Sequence, residues 1–384
     1  MPNWPRRILF GDIDAMYASS AIAANPTLTG QLVAVGSPPP RGIVTAATYA
    51  VREYGVKAAM PTAHALRLCP GLILVPPDRA LYQRMHARLC EVTDGLFPET
   101  EWTSIDEFYA DTTKLQMRSP DPRVLGRTVK DAFLAATGLR CTIAFATGKT
   151  VAKVAADCHK PDGLAIIEPG TEAAFLAGRP ARSLPGIGPK TAMALESRGI
   201  RTIADLLDPV FEAMLRRMWG PRLTALQELA KGIDRDPVVA GREAKSLSHE
   251  TTFERDTTDP VFLEHTLRGF LSELTHDLRL QGLAAGAFSV KLKDAAFTIT
   301  VRQRRFTEPL NYDPPMWKAI QPALHGVIVP RTRYRLVGLS LTDLVPATES
   351  LYDQRTTKAI AAMDAVIEKH GSNIIRLGGI PESR

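Results

Sequence analysis

The sequence predicts an α+β protein built from more than one domain. Its 384 residues exceed the roughly 150 that one core usually serves, which indicates two or three domains. Helical and strand patterns alternate up to Glu168 and again over 245–346, whereas residues 172–234 are helical throughout. The hydrophobic content of 45% is ample for packed cores.

Local patterns predict the elements of the first half. The apolar run 7–13 is typical of a buried strand, and Asp14 after it is placed to cap a helix over 15–24. A short strand over 31–36 ends at Ser37 and three prolines. The remaining elements are a helix near 79–96, strands near 102–112 and 141–146, and a helix near 122–137.

The second half begins with the helical stretch 172–234. Residues 237–244 lack periodicity, which predicts a linker. Beyond the linker, helix and strand patterns mix again. The expected elements are an amphipathic helix over 261–281, strands over 287–293, 297–305 and 333–342, and a short helix near 355–370.

Composition narrows the class of protein. No apolar run approaches the ~20 residues of a membrane span, and the polar start over 1–7 is too short for a signal peptide. We therefore expect a cytoplasmic protein without a membrane partner. Cys69, Cys90, Cys141 and Cys158 lack the spacing of a zinc site and are expected to be reduced thiols. The net charge of +6 and pI of 9.1 favour a polyanionic partner.

Two carboxylates lie where the first strand ends. Asp12 and Asp14 are two residues apart, so in a strand they share a face. In one interpretation Asp14 caps a helix and Asp12 is a surface charge. In the other they belong to a metal site, because a carboxylate at the end of a buried strand is costly unless it is paired or bound to metal.

A second acidic pair consists of Asp106 and Glu107. Neighbouring strand residues point to opposite faces, so both carboxylates reach one ion only if the chain turns there. A hairpin between 102–105 and 108–112 supplies that turn. Mg²⁺ prefers carboxylate oxygens, and two ions ~3.5–4 Å apart need several of them from separate elements. Asp12 together with this pair meets that requirement.

A cationic set suits the binding of phosphate. Tyr49 and Arg52 are one turn apart if 46–54 is helical, and Lys149 and Lys153 form an i, i+4 pair. A triphosphate requires positive donors that converge on its β and γ groups. A solvated helix face is the alternative, and for Lys153 the two interpretations are evenly balanced.

Four phrases of the sequence are more specific than these patterns. They are Gly11-Asp-Ile-Asp-Ala-Met-Tyr-Ala-Ser, Tyr49-Ala-Val-Arg-Glu-Tyr-Gly-Val-Lys-Ala-Ala-Met-Pro, Ser104-Ile-Asp-Glu and Lys149-Thr-Val-Ala-Lys-Val-Ala-Ala-Asp-Cys-His-Lys-Pro-Asp-Gly. In this order they resemble the Y-family of DNA polymerases, and the chain is most similar to the bacterial DNA polymerase IV branch. The similarity extends over residues 7–345.

The resemblance implies a right-hand polymerase with a ferredoxin-like palm, small fingers, a helical thumb and an α+β little finger. It also implies low-fidelity translesion synthesis without proofreading. The palm is expected at 1–15 and 76–168, the fingers at 16–75, the thumb at 169–236, the linker at 237–244, the little finger at 245–346 and a C-terminal tail at 347–384.

The resemblance assigns the metal site to single residues. It implies that Asp12, Asp106 and Glu107 are the catalytic ligands of two Mg²⁺ ions, and that the carbonyl of Ile13 is a further ligand.

The nucleotide site is implied in the same way. Tyr49, Arg52 and Lys149 would hold the triphosphate, and Tyr17 would be the steric gate that excludes a 2′-hydroxyl. The chain departs from the family where Ser20-Ala21 replaces Val-Glu and where Ala46 replaces Thr. Because a hydroxyl donor is missing at Ala46, we expect weaker nucleotide binding rather than inactivity.

Two regions are predicted to contact DNA. The first resembles a helix-hairpin-helix, in which Gly186 and Gly188 let the backbone approach a phosphate and Lys190 begins the next helix. The second consists of two strands on which polar and apolar residues alternate. We expect the outward faces to carry Lys291 and Lys293 on one strand and Thr298, Thr300, Arg302 and Arg304 on the other, with Ile299 and Val301 facing the core and Arg305 on the opposite face from Arg304.

The expected partners are primer-template DNA and a dNTP, and the chain is expected to be a monomer. A sliding clamp is a further partner through the weak tail motif 348–352. One alternative is a non-catalytic DNA-binding accessory paralogue, which the intact acidic triad argues against. The others are a nucleotidyl cyclase, which the helix-hairpin-helix and the basic last domain argue against, and a purely structural repair scaffold.

Overall fold

The computed structural model describes residues 4–241 and 244–347, together with helical residues at 358, 360, 362, 364–366 and 369. The chain forms two compact units, Met1–Arg242 and Glu243–Arg384. Each unit has its own sheets and its own hydrophobic core.

The first unit mixes strands with helices and ends in helices alone. Its strands are β1 (Ile8–Ile13), β2 (Val33–Gly36), β3 (Val44–Ala47), β4 (Ile73–Val75), β5 (Thr100–Trp102), β6 (Glu107–Asp111), β7 (Cys141–Ala146) and β8 (Leu164–Ile166). Its helices are α1 (Met16–Ala24), α2 (Tyr49–Glu53), α3 (Thr62–Leu68), α4 (Arg79–Leu96), α5 (Pro122–Thr137), α6 (Lys149–His159), α7 (Glu172–Ala177), α8 (Pro189–Glu196), α9 (Glu212–Trp219) and α10 (Arg222–Ala230).

Strand β1 lies in the middle of a five-stranded sheet with the order β5-β6-β1-β7-β8. Every residue of β1 is buried, because helices cover both faces of the sheet. Ile8 and Phe10 pack with α6 on one face, and Leu9 packs with α4 and α5 on the other. The structure confirms the strands predicted at 7–13 and 141–146 and the helices predicted at 79–96 and 122–137.

Gly11 allows β6 to approach β1 closely. A β-carbon placed on Gly11 would lie 2.2 Å from the Phe108 ring, so only glycine leaves room for that ring. In the resulting antiparallel register, Gly11 lies opposite Phe108 and Asp12 lies opposite Glu107. This close packing therefore supports the pairing that sets two acidic residues side by side.

A smaller sheet with the order β3-β2-β4 forms a separate core with α2 and α3. Strand β2 confirms the prediction at 31–36. Strands β3 and β4 were not predicted, because each has only three or four residues and carries too short a pattern.

Residues 172–230 contain helices and short 3₁₀ turns, as the sequence predicted. The glycine-rich hairpin turns at Gly186, whose φ of +93° favours a residue without a side chain. Gly188 immediately precedes α8.

The second unit is an antiparallel sheet with the order β11-β10-β12-β9, packed against two helices. Its strands are β9 (Ser246–Thr257), β10 (Leu283–Asp294), β11 (Ile299–Leu310) and β12 (Tyr334–Pro346), and its helices are α11 (Pro260–Leu280) and α12 (Asp313–His325). The sequence predicted α11, β10, β11 and β12. It missed β9, which is largely polar and exposed, and α12, which begins at two prolines.

The prediction that Asp14 caps α1 is wrong. The residue that precedes the helix is Ala15, and no side chain caps the helix. Asp14 is buried and its carboxylate is taken by other donors.

The cysteines are free thiols, as predicted, with Cys69 and Cys141 buried and Cys158 exposed. Across the residues that the structure describes, no helix combines the length and the apolar character needed to cross a membrane.

Candidate active site

Three predicted acidic residues lie at one end of β1 and β6. Asp12 and Glu107 are directly opposite each other, so their side chains share one face of the sheet. Asp106 lies in the turn before β6, where its backbone carbonyl accepts a hydrogen bond of 2.9 Å from Ile13 N. The predicted hairpin is confirmed, since Trp102 pairs with Phe108 across that turn.

Lysines neutralise two of these carboxylates. Lys160 Nζ lies 2.5 Å from Asp12 Oδ2 and 3.2 Å from Asp157 Oδ1. Lys153 Nζ forms an ion pair with Glu107 Oε1. Like charges directly opposite each other on two strands repel. Each lysine therefore reduces the repulsion between Asp12 and Glu107 that the strand register creates.

The pKa values of Asp12 and Lys160 reflect the cluster of negative charges around them. Burial raises the pKa of Asp12 to about 7, and the negative charges of Asp106 and Glu107 act in the same direction, while Lys160 opposes them. Burial lowers the pKa of Lys160, but the carboxylate of Asp12 outweighs it and the net pKa is raised, so Lys160 stays charged.

The donor set fits a hard divalent cation. Carboxylate oxygens are the ligands that Mg²⁺ takes, and those of Asp12 and Glu107 already hold ammonium groups. Among the described residues, no three His, Cys, Asp or Glu side chains converge closely enough to hold an ion as they stand. In the structure, Asp12 and Glu107 are instead paired with Lys160 and Lys153, respectively.

Asp14 lies beside the triad but has different partners. Its Oδ1 accepts hydrogen bonds from the Tyr49 hydroxyl at 3.2 Å and the Thr142 hydroxyl at 3.0 Å. Its Oδ2 accepts one from the backbone N–H of Asp162 at 2.7 Å. Asp12 and Asp14 thus contact the same turn, which carries both Lys160 and Asp162.

Tyr49 is the first residue of α2, and Arg52 lies one turn further along the same helix, as their spacing predicted. The Arg52 guanidinium lies 4.3 Å from the centroid of the Tyr49 ring, and its Nε donates to the Ala47 carbonyl at 3.0 Å. Burial and the charge of Asp14 raise the pKa of Tyr49 to about 12, so its hydroxyl stays protonated and can donate.

Tyr17 projects from α1 and is half-buried. Its ring packs on Tyr82 of α4, with 4.4 Å between the ring centroids. This contact fixes the ring rather than leaving it free in solvent. Ala46, where the family usually has threonine, is on β3 opposite Val35.

Lys149 lies at the opposite end of α6 from Lys160. The helix has 11 residues, which corresponds to about 16 Å of rise. Lys149 Nζ forms an ion pair with the buried carboxylate of Glu101, which also accepts a 3.0 Å hydrogen bond from Val239 N. The structure therefore does not bring Lys149 to the acidic triad.

The sequence patterns missed three residues of this site: Lys160, Thr142 and Asp162. Lys160 received no role, although the Lys-Pro-Asp-Gly turn after a cationic helix was a usable signal. The partners of Asp14 left no local signal, because Tyr49, Thr142 and Asp162 are distant from it in sequence.

The residues of the predicted helix-hairpin-helix lie at and just before the N-terminus of α8. Gly188 is the residue before α8, and Lys190 is its exposed second residue. A β-carbon at Gly186 or Gly188 would meet no other atom within 4 Å, so the backbone there is open to an approaching group.

The predicted face of β11 is wrong by one residue. Ile299 and Val301 are 52% and 55% exposed rather than buried. Arg302 lies opposite Val290 and Arg304 opposite Phe288, so both arginines share the face that the helices cover. The physical reason is that the larger apolar residues of the neighbouring strand β10 set which face is buried.

The open face of this sheet carries a different cationic set. Lys291 and Lys293 lie on it as predicted, and Arg305 joins them through its position opposite Ala287. Lys291 pairs with Glu250 at 2.8 Å, and Arg305 forms an ion pair with Asp343.

Family models match most of the chain. The impB/mucB/samB family matches residues 11–157, and the C-terminal domain of the same family matches residues 244–354. A SAM-like helix-hairpin-helix tandem matches residues 179–215, which confirms the hairpin prediction.

Individual relatives agree with these matches. "DNA polymerase IV" of Methanoculleus marisnigri is 36% identical over 355 residues, covering 90% of this chain and 96% of the relative. "DNA polymerase IV" of Dehalococcoides mccartyi is 31% identical, covering 97% of each chain. Among solved structures, a Y-family DNA polymerase chimera of Dbh and Dpo4 has a TM-score of 0.81 at 25% identity and covers 88% of this chain and 99% of its own. An insertion ternary complex of Dbh DNA polymerase has a TM-score of 0.65 at 25% identity and the same coverage of both chains.

Proposed function

The chain belongs to the impB/mucB/samB family of Y-family DNA polymerases, and from this premise we propose that it extends a primer 3′-end with dNTPs on a template strand at Asp12, Asp106 and Glu107. The fold is the right-hand fold of that family, with a helix-hairpin-helix in the thumb. The reaction is attack of the primer 3′-hydroxyl on the α-phosphate, with release of pyrophosphate. Synthesis is of the low-fidelity translesion type, without proofreading. The observation that carries the proposal is the strand register that pairs Asp12 with Glu107, each neutralised by a lysine.

Two Mg²⁺ ions are the proposed cofactors. Asp12, Asp106 and Glu107 would hold them through carboxylate oxygens, and Ile13 would add its carbonyl. When bound, such ions polarise the α-phosphate, lower the pKa of the attacking hydroxyl and neutralise the leaving pyrophosphate.

Residues of the chain position the nucleotide. Arg52 of α2 donates to the triphosphate. The Tyr49 hydroxyl does so once it leaves Asp14, and Lys160 adds an ammonium group once it leaves Asp12. The assignment of Lys149 to the triphosphate stays a prediction, and its ion pair with Glu101 favours a structural role instead. Tyr17 is the proposed steric gate, and Tyr82 holds its ring in place.

Each unit offers a proposed surface for primer-template DNA. In the first unit, the backbone at Gly186 and Gly188 is open to a phosphate, and Lys190 adds a positive charge. In the second unit, Lys291, Lys293 and Arg305 lie on the open face of the sheet, and positive charges on such a face favour sequence-independent contact with phosphate.

Three further expectations stay predictions. These are the monomeric state, the cytoplasmic location and the weak contact with a sliding clamp. The tail motif 348–352 lies outside the described residues. Extension with and without a bacterial clamp, for the full chain and for a chain that ends at residue 347, tests the contact.

A primer-extension assay tests the proposed function. We expect extension that depends on a divalent cation, copies the template and continues past a damaged template base. A mismatched primer end should stay intact, because the proposed synthesis lacks proofreading. DNA binding without extension would support the accessory paralogue, and product formation without a primer would support the nucleotidyl cyclase.

A further inference from the structure

Asp14 is a buried acidic residue that the proposed chemistry does not use. It lies two residues after Asp12, yet the lysine that pairs with Asp12 makes no ion pair with it. Its two carboxylate oxygens accept three hydrogen bonds, from the Tyr49 hydroxyl, the Thr142 hydroxyl and the backbone N–H of Asp162. The lone pairs of Asp14 are therefore largely engaged by protein donors, which distinguishes it from a residue free to bind an ion.

The three donors belong to three separate elements. Tyr49 begins α2 and belongs to the small-sheet part of the first unit, whereas Thr142 lies on β7 in the five-stranded sheet. Asp162 lies in the turn between α6 and β8. One side chain at the end of β1 thus joins the small-sheet part, the large sheet and this turn.

The turn around Asp162 also carries Lys160. Thr142 contacts this turn directly as well, because its hydroxyl accepts a 3.2 Å hydrogen bond from Gly163 N. The carboxylate of Asp162 forms ion pairs of 2.6 Å with Lys130 and with Arg140. Since Lys160 is two residues from Asp162, the place of its ammonium group depends on how the turn is held.

We propose that Asp14 is a positioning residue that holds the turn after α6, so that the ammonium group of Lys160 lies where the triphosphate of the incoming nucleotide binds. This inference rests on the proposed function. Hydrogen bonds to a buried carboxylate are stronger and more directional than those between neutral groups. Loss of that carboxylate removes the acceptor of the Asp162 N–H and frees the turn, so Lys160 must then be ordered at the moment the triphosphate binds.

The test is single-nucleotide insertion by three variants, with kcat and KM for the dNTP measured at saturating primer-template. In Asp14→Asn one carboxylate oxygen is replaced by an NH2 group, which cannot accept a hydrogen bond. We expect KM to rise about tenfold with kcat nearly unchanged, which corresponds to the loss of one charged hydrogen bond. Thr142→Val removes one donor and should raise KM by a smaller factor. Thr142→Ser keeps the hydroxyl and should match the wild type.

Three results would overturn the inference. They are an unchanged KM in a folded Asp14→Asn protein, a loss of kcat at unchanged KM, and equal effects of the valine and serine variants at position 142. If Asp14→Asn does not fold, the comparison of Thr142→Val with Thr142→Ser decides alone. A wild-type chain that fails to extend any primer refutes the proposed function, whereas normal wild-type extension with no change in KM refutes only this inference.

Discussion

Asp12 and Glu107 lie directly opposite each other on two antiparallel strands. The carboxylate of Asp12 is paired with Lys160, which follows α6, and that of Glu107 is paired with Lys153 on α6. The acidic pair and its basic partners thus form a self-neutralised group. Binding of divalent cations or of a triphosphate to this group requires an exchange of ionic partners, and several expectations follow from that exchange.

Removal of the triad carboxylates should abolish extension. We expect Asp106→Ala and Glu107→Ala, made separately, to reduce the insertion rate by several orders of magnitude, because two ions need ligands from all three residues. The affinity for primer-template should stay close to wild type, as measured by fluorescence anisotropy. Near-normal extension by the Asp106 variant would remove the basis of the proposed site.

Binding of a divalent cation should depend on pH through Asp12. The raised pKa of about 7 means that Asp12 takes up a proton as the pH falls below that value, and a proton competes with a metal ion for the same carboxylate. The apparent affinity for Mg²⁺ should therefore rise with pH up to about 7, by at most about tenfold per pH unit, and then level off. Titration of the extension rate with Mg²⁺ on both sides of this pH measures the effect, and a flat profile contradicts it.

Substitution of Lys160 should weaken nucleotide binding more than substitution of Lys149. Lys160→Ala should raise KM for the dNTP by about tenfold or more, since it removes a charged donor. Lys149→Ala, at the other end of α6, is the matched control. It should lower thermal stability, because it removes a cation that pairs with the buried carboxylate of Glu101, and it should change KM little. The reverse pattern would restore the original assignment of Lys149.

Selectivity for deoxyribonucleotides should depend on the ring of Tyr17. We expect Tyr17→Ala to insert ribonucleotides far better than wild type, because the bulk of the ring excludes the 2′-hydroxyl. Tyr17→Phe keeps the ring and its contact with Tyr82, so it should keep the selectivity. The ratio of kcat/KM for dNTP and rNTP measures this. An unchanged ratio in the alanine variant would make Tyr17 a packing residue only.

Basic residues on the open face of the second unit should contribute more to the salt dependence of DNA binding than those on the helix-covered face. Lys291→Ala combined with Lys293→Ala should weaken binding to unrelated DNA sequences equally and flatten the slope of log K against log salt by roughly 1 per lysine. Arg302→Ala combined with Arg304→Ala is the matched control, because these side chains lie on the other face. A larger effect of the arginine pair would show that the original assignment of those residues to DNA was right.

Local sequence pattern was enough to predict most of the elements that carry Asp12, Asp106 and Glu107, whereas their role as metal ligands rests on the family resemblance. Asp12 lies in an apolar strand, Asp106 lies in the turn before β6, and Glu107 begins β6. The pattern failed where residues distant in sequence determine which side chains are buried. Ile299 and Val301 alternate with polar residues as core residues do, yet the pairing of β11 with β10 places them in solvent.

Asp14 shows the same limit in a single side chain. Its place before a helix favours capping, which is a local interaction. Three donors from other parts of the chain compete for its carboxylate and prevail. Lys149 and Lys160 are distinguished by their carboxylate partners, Glu101 and Asp12, and both partners are distant in sequence from the lysines.

Position 11 has a consequence for the evolution of the chain. The ring of Phe108 occupies the volume that any side chain at Gly11 would need, and the ring is itself buried, so a substitution requires the ring or β6 to move. Phe108 is the neighbour of Glu107, which lies opposite Asp12, so such a movement disturbs the acidic pair. In a saturation library selected for extension, glycine should dominate at this position as strongly as aspartate does at the next, although glycine contributes no functional group.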